Sequence, residues 1–280
     1  MSEAQSTSGD FKSIGPYMTT ARVYDTPWED VFHAVNRQTG AKVTLKLVAK
    51  NLPAEVQKKL FENESGTLKL LDHPNIPKVL DAGHADGRYF IAVELLNGPT
   101  VKSLVLDKTP MPLAQKLGII AQAADAVGAA HQRNIVHQSL LPRDIVVLDG
   151  GKVKVHGFHL RRLEGEERSA AQVLFGKMVY LAPEQVKSEG STASSDIFSL
   201  GTILYEFIAY AMPFPGREVT SVLIKIVQRD PEPLRNHLPD APDALLKVID
   251  RALAKKPSDR YPSMAAFAED LRATAKTLGR

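Results

Sequence analysis

The dominant hydrophobic periodicity of this chain changes at Asn97-Gly98-Pro99, from mostly strand to mostly helix, and that change points to folds that keep a sheet apart from a group of helices. Before the break, Val31-Phe-His-Ala-Val35 and Val43-Thr-Leu-Lys-Leu-Val48 alternate with period two, and Asn36-Arg-Gln-Thr-Gly40 between them reads as a hairpin loop. Pro53 suits the first turn of a helix whose apolar stripe is Val56, Leu60, Phe61, Leu68 and Leu71. Residues 78–80 and 89–94 read as two further strands. After the break, helical spacing takes over at 112–132, 196–210, 219–228, 243–254 and 263–278, interrupted by one hairpin of 145–148 and 153–155 around Asp149-Gly150-Gly151. The expected class is α+β: a small antiparallel sheet lobe with one main helix, then a larger, mainly helical lobe. The expected boundaries are a flexible segment 1–16, a sheet lobe 17–97 and a helical lobe 98–280.

A chain of 280 residues can bury a substantial core without staples. It has no cysteine, which excludes a disulfide scaffold, thiolate metal sites and a cysteine nucleophile. Its net charge of +3 is too small a bias to argue for nucleic acid or an anionic membrane as partner. The opening MSEAQSTSGD lacks the apolar core of a signal peptide. The apolar run 197–214 carries Glu206, follows Asp196 and ends at Pro213, so a buried helix is expected rather than a membrane span. A cytoplasmic protein is the expectation.

Several strings then coincide in order and spacing. Val43-Thr-Leu-Lys46 lies on a strand, and Glu64 on the following helix precedes His73-Pro-Asn-Ile76. His137-Gln-Ser-Leu-Leu-Pro-Arg-Asp144 follows a long helix. Gly157-Phe158-His159, Leu181-Ala-Pro-Glu184, Asp196-Ile-Phe-Ser-Leu-Gly201 and Arg260 come after it. Together they resemble the protein kinase fold, most closely the bacterial serine/threonine kinases, over residues 17–278. The resemblance implies two lobes, with a nucleotide site at Lys46, Glu64, Val93, Glu94, Leu96 and Val146. It also implies a Glu184–Arg260 pair, and an Asp196 that caps its helix and braces the His137 loop. His137 and Phe158 are implied to pack in the core.

The chemistry-bearing positions depart from that pattern. Phosphoryl transfer is positioning plus neutralisation of charge. Tyr24, Thr26 and Glu29 stand at the three glycine positions of the phosphate-covering loop. Tyr24 and Trp28 are candidates to cover the cleft, with Glu29 either set against the phosphates or left as an exposed acid on an ordinary hairpin. Lys46 and Glu64 match, either as a phosphate-facing pair or as a strand-to-helix tie. The family reads His-Arg-Asp-Leu-Lys-Pro-x-Asn where this chain has Gln138, Ser139, Leu141 and Asp144. A serine hydroxyl carries no charge with which to take a proton, and loss of a general base costs on the order of 10²–10⁴ in rate. Asp144 replaces an asparagine and either holds a cation, pairs with a base or is solvated. Gly157 stands at the metal-binding aspartate; the shifted register puts His156 there, again without a carboxylate. His156 and His159 alone make a poor zinc site. Lys177 replaces the loop threonine, and Ser169 and Tyr180 are the only hydroxyl side chains from Gly157 to Glu184.

These departures lead to the expectation of a pseudokinase, not a conventional enzyme: a protein-binding scaffold or allosteric regulator in signalling. Its expected partner is another protein, such as an active kinase, with no nucleic acid and no membrane insertion. No metal or cofactor is expected, and ATP and Mg²⁺ at most weakly. The alternative is a weakly active or atypical ATP-dependent serine/threonine kinase or nucleotidyl transferase using Lys46, Glu64 and Asp144. A third reading is a small-molecule sensor whose cleft is lined by Val93, Leu96 and Val146.

Overall fold

The computed structural model describes residues 13–25, 27–158 and 176–278. Contacts divide the chain into two compact units: residues 1–69 with 78–96, and residues 70–77 with 97–280.

The first unit is a six-stranded antiparallel sheet of order β1-β2-β3-β4-β6-β5 with one helix. Its strands are β1 (Ser13–Ile14), β2 (Tyr17–Asp25), β3 (Glu29–Asn36), β4 (Lys42–Val48), β5 (Val79–Ala85) and β6 (Arg88–Glu94), and its helix is α1 (Ala54–Lys69). Period two sorts the side chains of β4 to opposite faces. Val43, Leu45 and Leu47 join Ile14, Tyr17, Ala34, Phe90 and Ala92 in one core. On β6, Ile91 and Val93 face the other way and pack with Leu68 and Phe61 of α1. Lys46, directly across from Ile91, shares this second face. The strand expected at residues 78–80 runs on to Ala85. α1 stops at Lys69, so Leu71 is not part of its stripe and is buried in the core of the second unit instead.

The second unit contains α2 (Val101–Leu106), α3 (Leu113–His131), the hairpin β7 (Ile145–Val147) and β8 (Val153–Val155), α4 (Pro183–Val186) and α5 (Ala193–Ala209). α6 (Val219–Gln228), α7 (Asp243–Ala252) and α8 (Met264–Leu278) complete it. The apolar run beginning at Ile197 is the buried body of α5. Glu206 within it is tolerated because the Tyr180 hydroxyl donates to its carboxylate at 2.6 Å and Lys102 lies 3.5 Å away. A Cβ at Gly201 would come within 2.7 Å of Ala252 Cβ, so only glycine lets α5 approach α7 this closely. Among the described residues, no helix is long and apolar enough to cross a membrane.

Candidate functional site

In the sheet unit, Lys46 is held by two carboxylates. Its Nζ lies 2.8 Å from Glu64 Oε1 and 3.1 Å from Glu29 Oε2. Lys46, Glu64 and Glu29 are 7, 7 and 4% exposed. The strand register explains the meeting: Val31 stands opposite Lys46 and Glu29 opposite Val48, so Glu29 and Lys46 are diagonal neighbours on one face. Burial works against the Lys46 ammonium, but Glu29 and Glu64 outweigh it and hold its pKa above the ordinary lysine range. The Tyr24 hydroxyl donates to Glu29 Oε1 at 3.2 Å. Glu29 is therefore not an exposed acid on an ordinary hairpin; the fold turns it inward because Lys46 neutralises it there. Trp28 is half-buried and its carbonyl accepts from Ala49 N at 2.7 Å, which extends the β3–β4 ladder by one rung. Thr26 lies outside the described residues.

Val93, Glu94 and Leu96 belong to the same unit. Val93 is buried; Glu94 Oε1 accepts from Lys78 N at 2.9 Å, and Leu96 N donates to Thr44 Oγ1 at 3.2 Å. Val146 belongs to the helical unit, on β7, where it bridges Thr100.

In the helical unit, Asp196 organises the loop that carries Ser139. His137 N and Gln138 N each donate to its carboxylate at 2.8 Å, and His131 Nε2 lies 2.7 Å from Oδ2. Gln138 is held at φ +69, a left-handed conformation that costs a non-glycine residue strain. Gln185 Nε2 closes the arrangement by donating to Gln138 O at 2.8 Å. Asp196 does not cap its own helix: Thr192 is the cap residue of α5, and Asp196 sits one turn inside with its carboxylate given to the loop. His131 and Gln185 were not singled out from sequence, and no residue pattern marks them.

Ser139 is half-buried beside this frame, and Leu141 is buried at 6% exposure. Leu141 N donates to Asp144 Oδ2 at 2.9 Å, and Arg143 Nε lies 3.9 Å from Oδ1. Asp144 is 4% exposed, so it is not a solvated acid. Gly157 adopts φ +95, and a Cβ there would stand 3.3 Å from both Asp144 Cγ and the His137 ring. His137 and Phe158 pack ring to ring at 4.8 Å, and His137 Nε2 reaches the His156 carbonyl at 3.0 Å. His137, Asp144 and Gly157 thus converge. His159 and Ser169 lie outside the described residues.

Tyr180 is no accessible acceptor for a phosphoryl group, since its hydroxyl is buried on Glu206. Burial, reinforced by that carboxylate, pushes its pKa far above the ordinary phenol range. Lys177 is half-buried, and its carbonyl accepts from Tyr180 N at 3.2 Å. Nearby, Arg260 meets Glu184 through two hydrogen bonds of 2.8 Å, and Ser195 Oγ donates to Glu184 Oε1 at 2.7 Å.

The chain is 32% identical over 218 residues to the serine/threonine-protein kinase PrkC of Bacillus subtilis, covering 78% of this chain and 33% of the relative. It is 33% identical over 217 residues to the serine/threonine-protein kinase PknB of Mycobacterium leprae, covering 75% of this chain and 35% of the relative. The tyrosine-protein kinase MasK of Myxococcus xanthus is 30% identical over 278 residues, covering 92% of this chain and 42% of the relative. The chain thus spans roughly a third to two-fifths of the length of these relatives.

These similarities correct two expectations. A scaffold or allosteric regulator without phosphotransfer is overturned, because relatives matched over most of this chain are kinases by name. An absent cofactor, with ATP and Mg²⁺ at most weak, is overturned with it, since kinase chemistry runs on a nucleotide and a divalent cation. The residues fit that cation in reduced form. Mg²⁺ is commonly bound by one or two carboxylates plus substrate phosphates. Asp144 supplies one carboxylate, Gly157 supplies none, and among the described residues no cluster of three potential ligands gathers. The architecture of an antiparallel sheet lobe and a helical lobe agrees with the family match, in which the protein kinase domain covers residues 29–271. The chain belongs to the protein kinase domain family.

Proposed function

We propose that this chain is an ATP-dependent protein kinase of atypical type, moving the γ-phosphoryl group of ATP to a serine or threonine hydroxyl of a protein substrate. The observation that carries the reading is the buried Lys46–Glu64 pair at 2.8 Å, which keeps a cation fixed on the sheet. Lys46 neutralises nucleotide phosphate, and Glu64 orients it. Asp144 would hold Mg²⁺, which supplies charge neutralisation on the phosphates. Asp196 and Gln185 hold the backbone at Gln138, so the loop that presents Ser139 is positioned before substrate arrives. Ser139 takes no proton, and Leu141 brings no charge to the transferring group. Both gaps slow the reaction rather than forbid it. In a loose transition state the bond to the attacking oxygen is little formed, and a missing base costs on the order of 10²–10⁴ in rate.

The sheet lobe of residues 17–97 and the helical lobe of 98–280 serve together as one kinase domain in this reading, acting on protein from a cytoplasmic location. The test is incubation of the full chain and a basic protein acceptor with Mg²⁺ and ATP labelled at either the γ- or the α-phosphate. Slow incorporation of γ-label, lost in Asp144→Ala and in Lys46→Met, is expected. Incorporation of α-label would identify nucleotidyl transfer instead. Label from neither, above the variants, would overturn the proposal.

A further inference from the structure

Lys46 already has an anion beside it in addition to Glu64. Glu29 Oε2 stands 3.1 Å from its Nζ, and Tyr24 donates to the other oxygen of the same carboxylate at 3.2 Å. With Glu64 at 2.8 Å, one ammonium faces two carboxylates, all within a site whose three charged residues are less than one-tenth exposed. The three groups together carry a net negative charge, in surroundings where like charges are poorly screened. Glu29 begins β3 at a position the resemblance assigns to the phosphate-covering loop, and β2 carries Tyr24 to its side through the Tyr24–Val31 pairing.

We propose that Glu29 is an internal competitor for nucleotide phosphate: it occupies the anion position at Lys46, and Tyr24 tethers it there. The inference rests on the reading of Lys46 as the phosphate-facing cation and adds a regulatory element to it. A nucleotide reaches Lys46 only when Glu29 gives way, so affinity for the phosphates is set by how firmly Tyr24 and Lys46 hold that carboxylate. The ligand class that feels the competition is the phosphorylated nucleotide, and the nucleoside without phosphates does not.

The experiment measures binding of ATP, ADP and adenosine to the full chain by calorimetry. Wild type, Glu29→Gln and Tyr24→Phe are compared, each checked for a cooperative melt. Removing one like charge a few ångströms from the phosphates should tighten ATP and ADP by about tenfold or more in Glu29→Gln. Tyr24→Phe, which keeps the charge and loses only the tether, should tighten them by a smaller factor. Adenosine should bind all three proteins equally. If ATP binds wild type and both variants alike, the inference fails while Lys46 remains the phosphate-facing cation. An equal gain for adenosine would also overturn it, since the effect would then be steric. If no nucleotide binds any of the proteins, both the inference and the proposed function fall. Should Glu29→Gln fail to fold, Tyr24→Phe carries the decision: tighter ATP with unchanged adenosine supports the competitor, and unchanged ATP rejects it.

Discussion

Glu184 grips Arg260 through two parallel hydrogen bonds of 2.8 Å, and the arginine spends its remaining donors on the carbonyls of Ala254, Lys255 and Ser194. Removing either partner strands the other charge in the interior. Glu184→Ala and Arg260→Ala are each expected to cost about 3–5 kcal/mol, read by urea denaturation. Arg260→Lys should recover only part, because an ammonium cannot reproduce the planar fork. Burial works to raise the Glu184 carboxyl, but Arg260 and Ser195 outweigh it and hold its pKa below the ordinary 4.5. A depressed acid contributes stability above its unfolded pKa and loses it as pH falls through the folded one. The gap between wild type and Glu184→Gln should therefore be constant at neutral pH and shrink as pH drops below 4.5. A gap that widened in acid would contradict the pairing.

Asp196 accepts from the consecutive backbone amides of His137 and Gln138 in the Ser139 loop, and Gln138 is strained at φ +69. Hydrogen bonds to a charged acceptor contribute roughly 1.5–3 kcal/mol each. Asp196→Ala should cost about 3 kcal/mol or more and release Gln138 from its left-handed conformation. Amide exchange at His137 and Gln138 should accelerate well ahead of exchange in α3. Uniform acceleration across the unit would mean that the loop has no separate support. Ser139→Ala, by contrast, should leave the melting temperature within the small range of a surface change.

Gly157 leaves little room for a side chain. With φ +95 and a Cβ only 3.3 Å from Asp144 Cγ, Gly157→Ala should destabilise by about 1–3 kcal/mol through backbone strain and contact. Gly157→Asp should cost more, because it sets a second carboxylate against Asp144. Adding Mg²⁺ should recover part of the loss in Gly157→Asp and none in Gly157→Ala. Equal melting temperatures for the two variants with and without the cation would refute this.

Lys46→Met leaves Glu29 and Glu64 buried without their cation. The expected loss is about 3–5 kcal/mol at neutral pH. Burial favours the neutral form of a carboxylic acid, so the deficit should be smaller at pH 5 than at pH 8. The double variant Lys46→Met with Glu29→Gln should regain stability over the single one, and thermal melts of the set decide the matter.

Lys255 lies in apolar surroundings, its Nζ 3.9 Å from the centre of the Phe214 ring and 2.8 Å from the Ile226 carbonyl. Burial draws its pKa from the ordinary 10.5 down to about 8, with Asp230 opposing only in part. Between those values the unfolded chain holds a proton that the folded chain has released, so stability should rise with pH across this window. Lys255→Met should lack that rise. Parallel stability curves for the two proteins from pH 8 to 10 would show that the ammonium is not desolvated.

Local order was legible in the residues themselves. Alternation over Val43–Val48 is enough to set Lys46 on the face away from Leu45 and Leu47, because a strand has a period of two. The helical spacing after Gly98 likewise located α3, α5, α6, α7 and α8, and the spacing of Glu64, Asp196 and Arg260 carried the family resemblance. The short α2 had too few residues to show a period. What the chain could not announce was which charges meet. Glu29 pairs with Lys46 only because the β3–β4 register puts it one diagonal away, and a shift of one residue would have turned it to the other face. Asp144 reads from sequence as a cation holder, a partner of a base or a solvated acid; the fold buries it and places His137 and Gly157 close by. Gln185 and His131 gained their roles from the positions of Gln138 and Asp196, which are remote in sequence. Periodicity is a property of neighbouring residues and survives in the sequence. The partner of a buried charge depends on strand register and the packing of distant segments, and these exist only once the chain has folded.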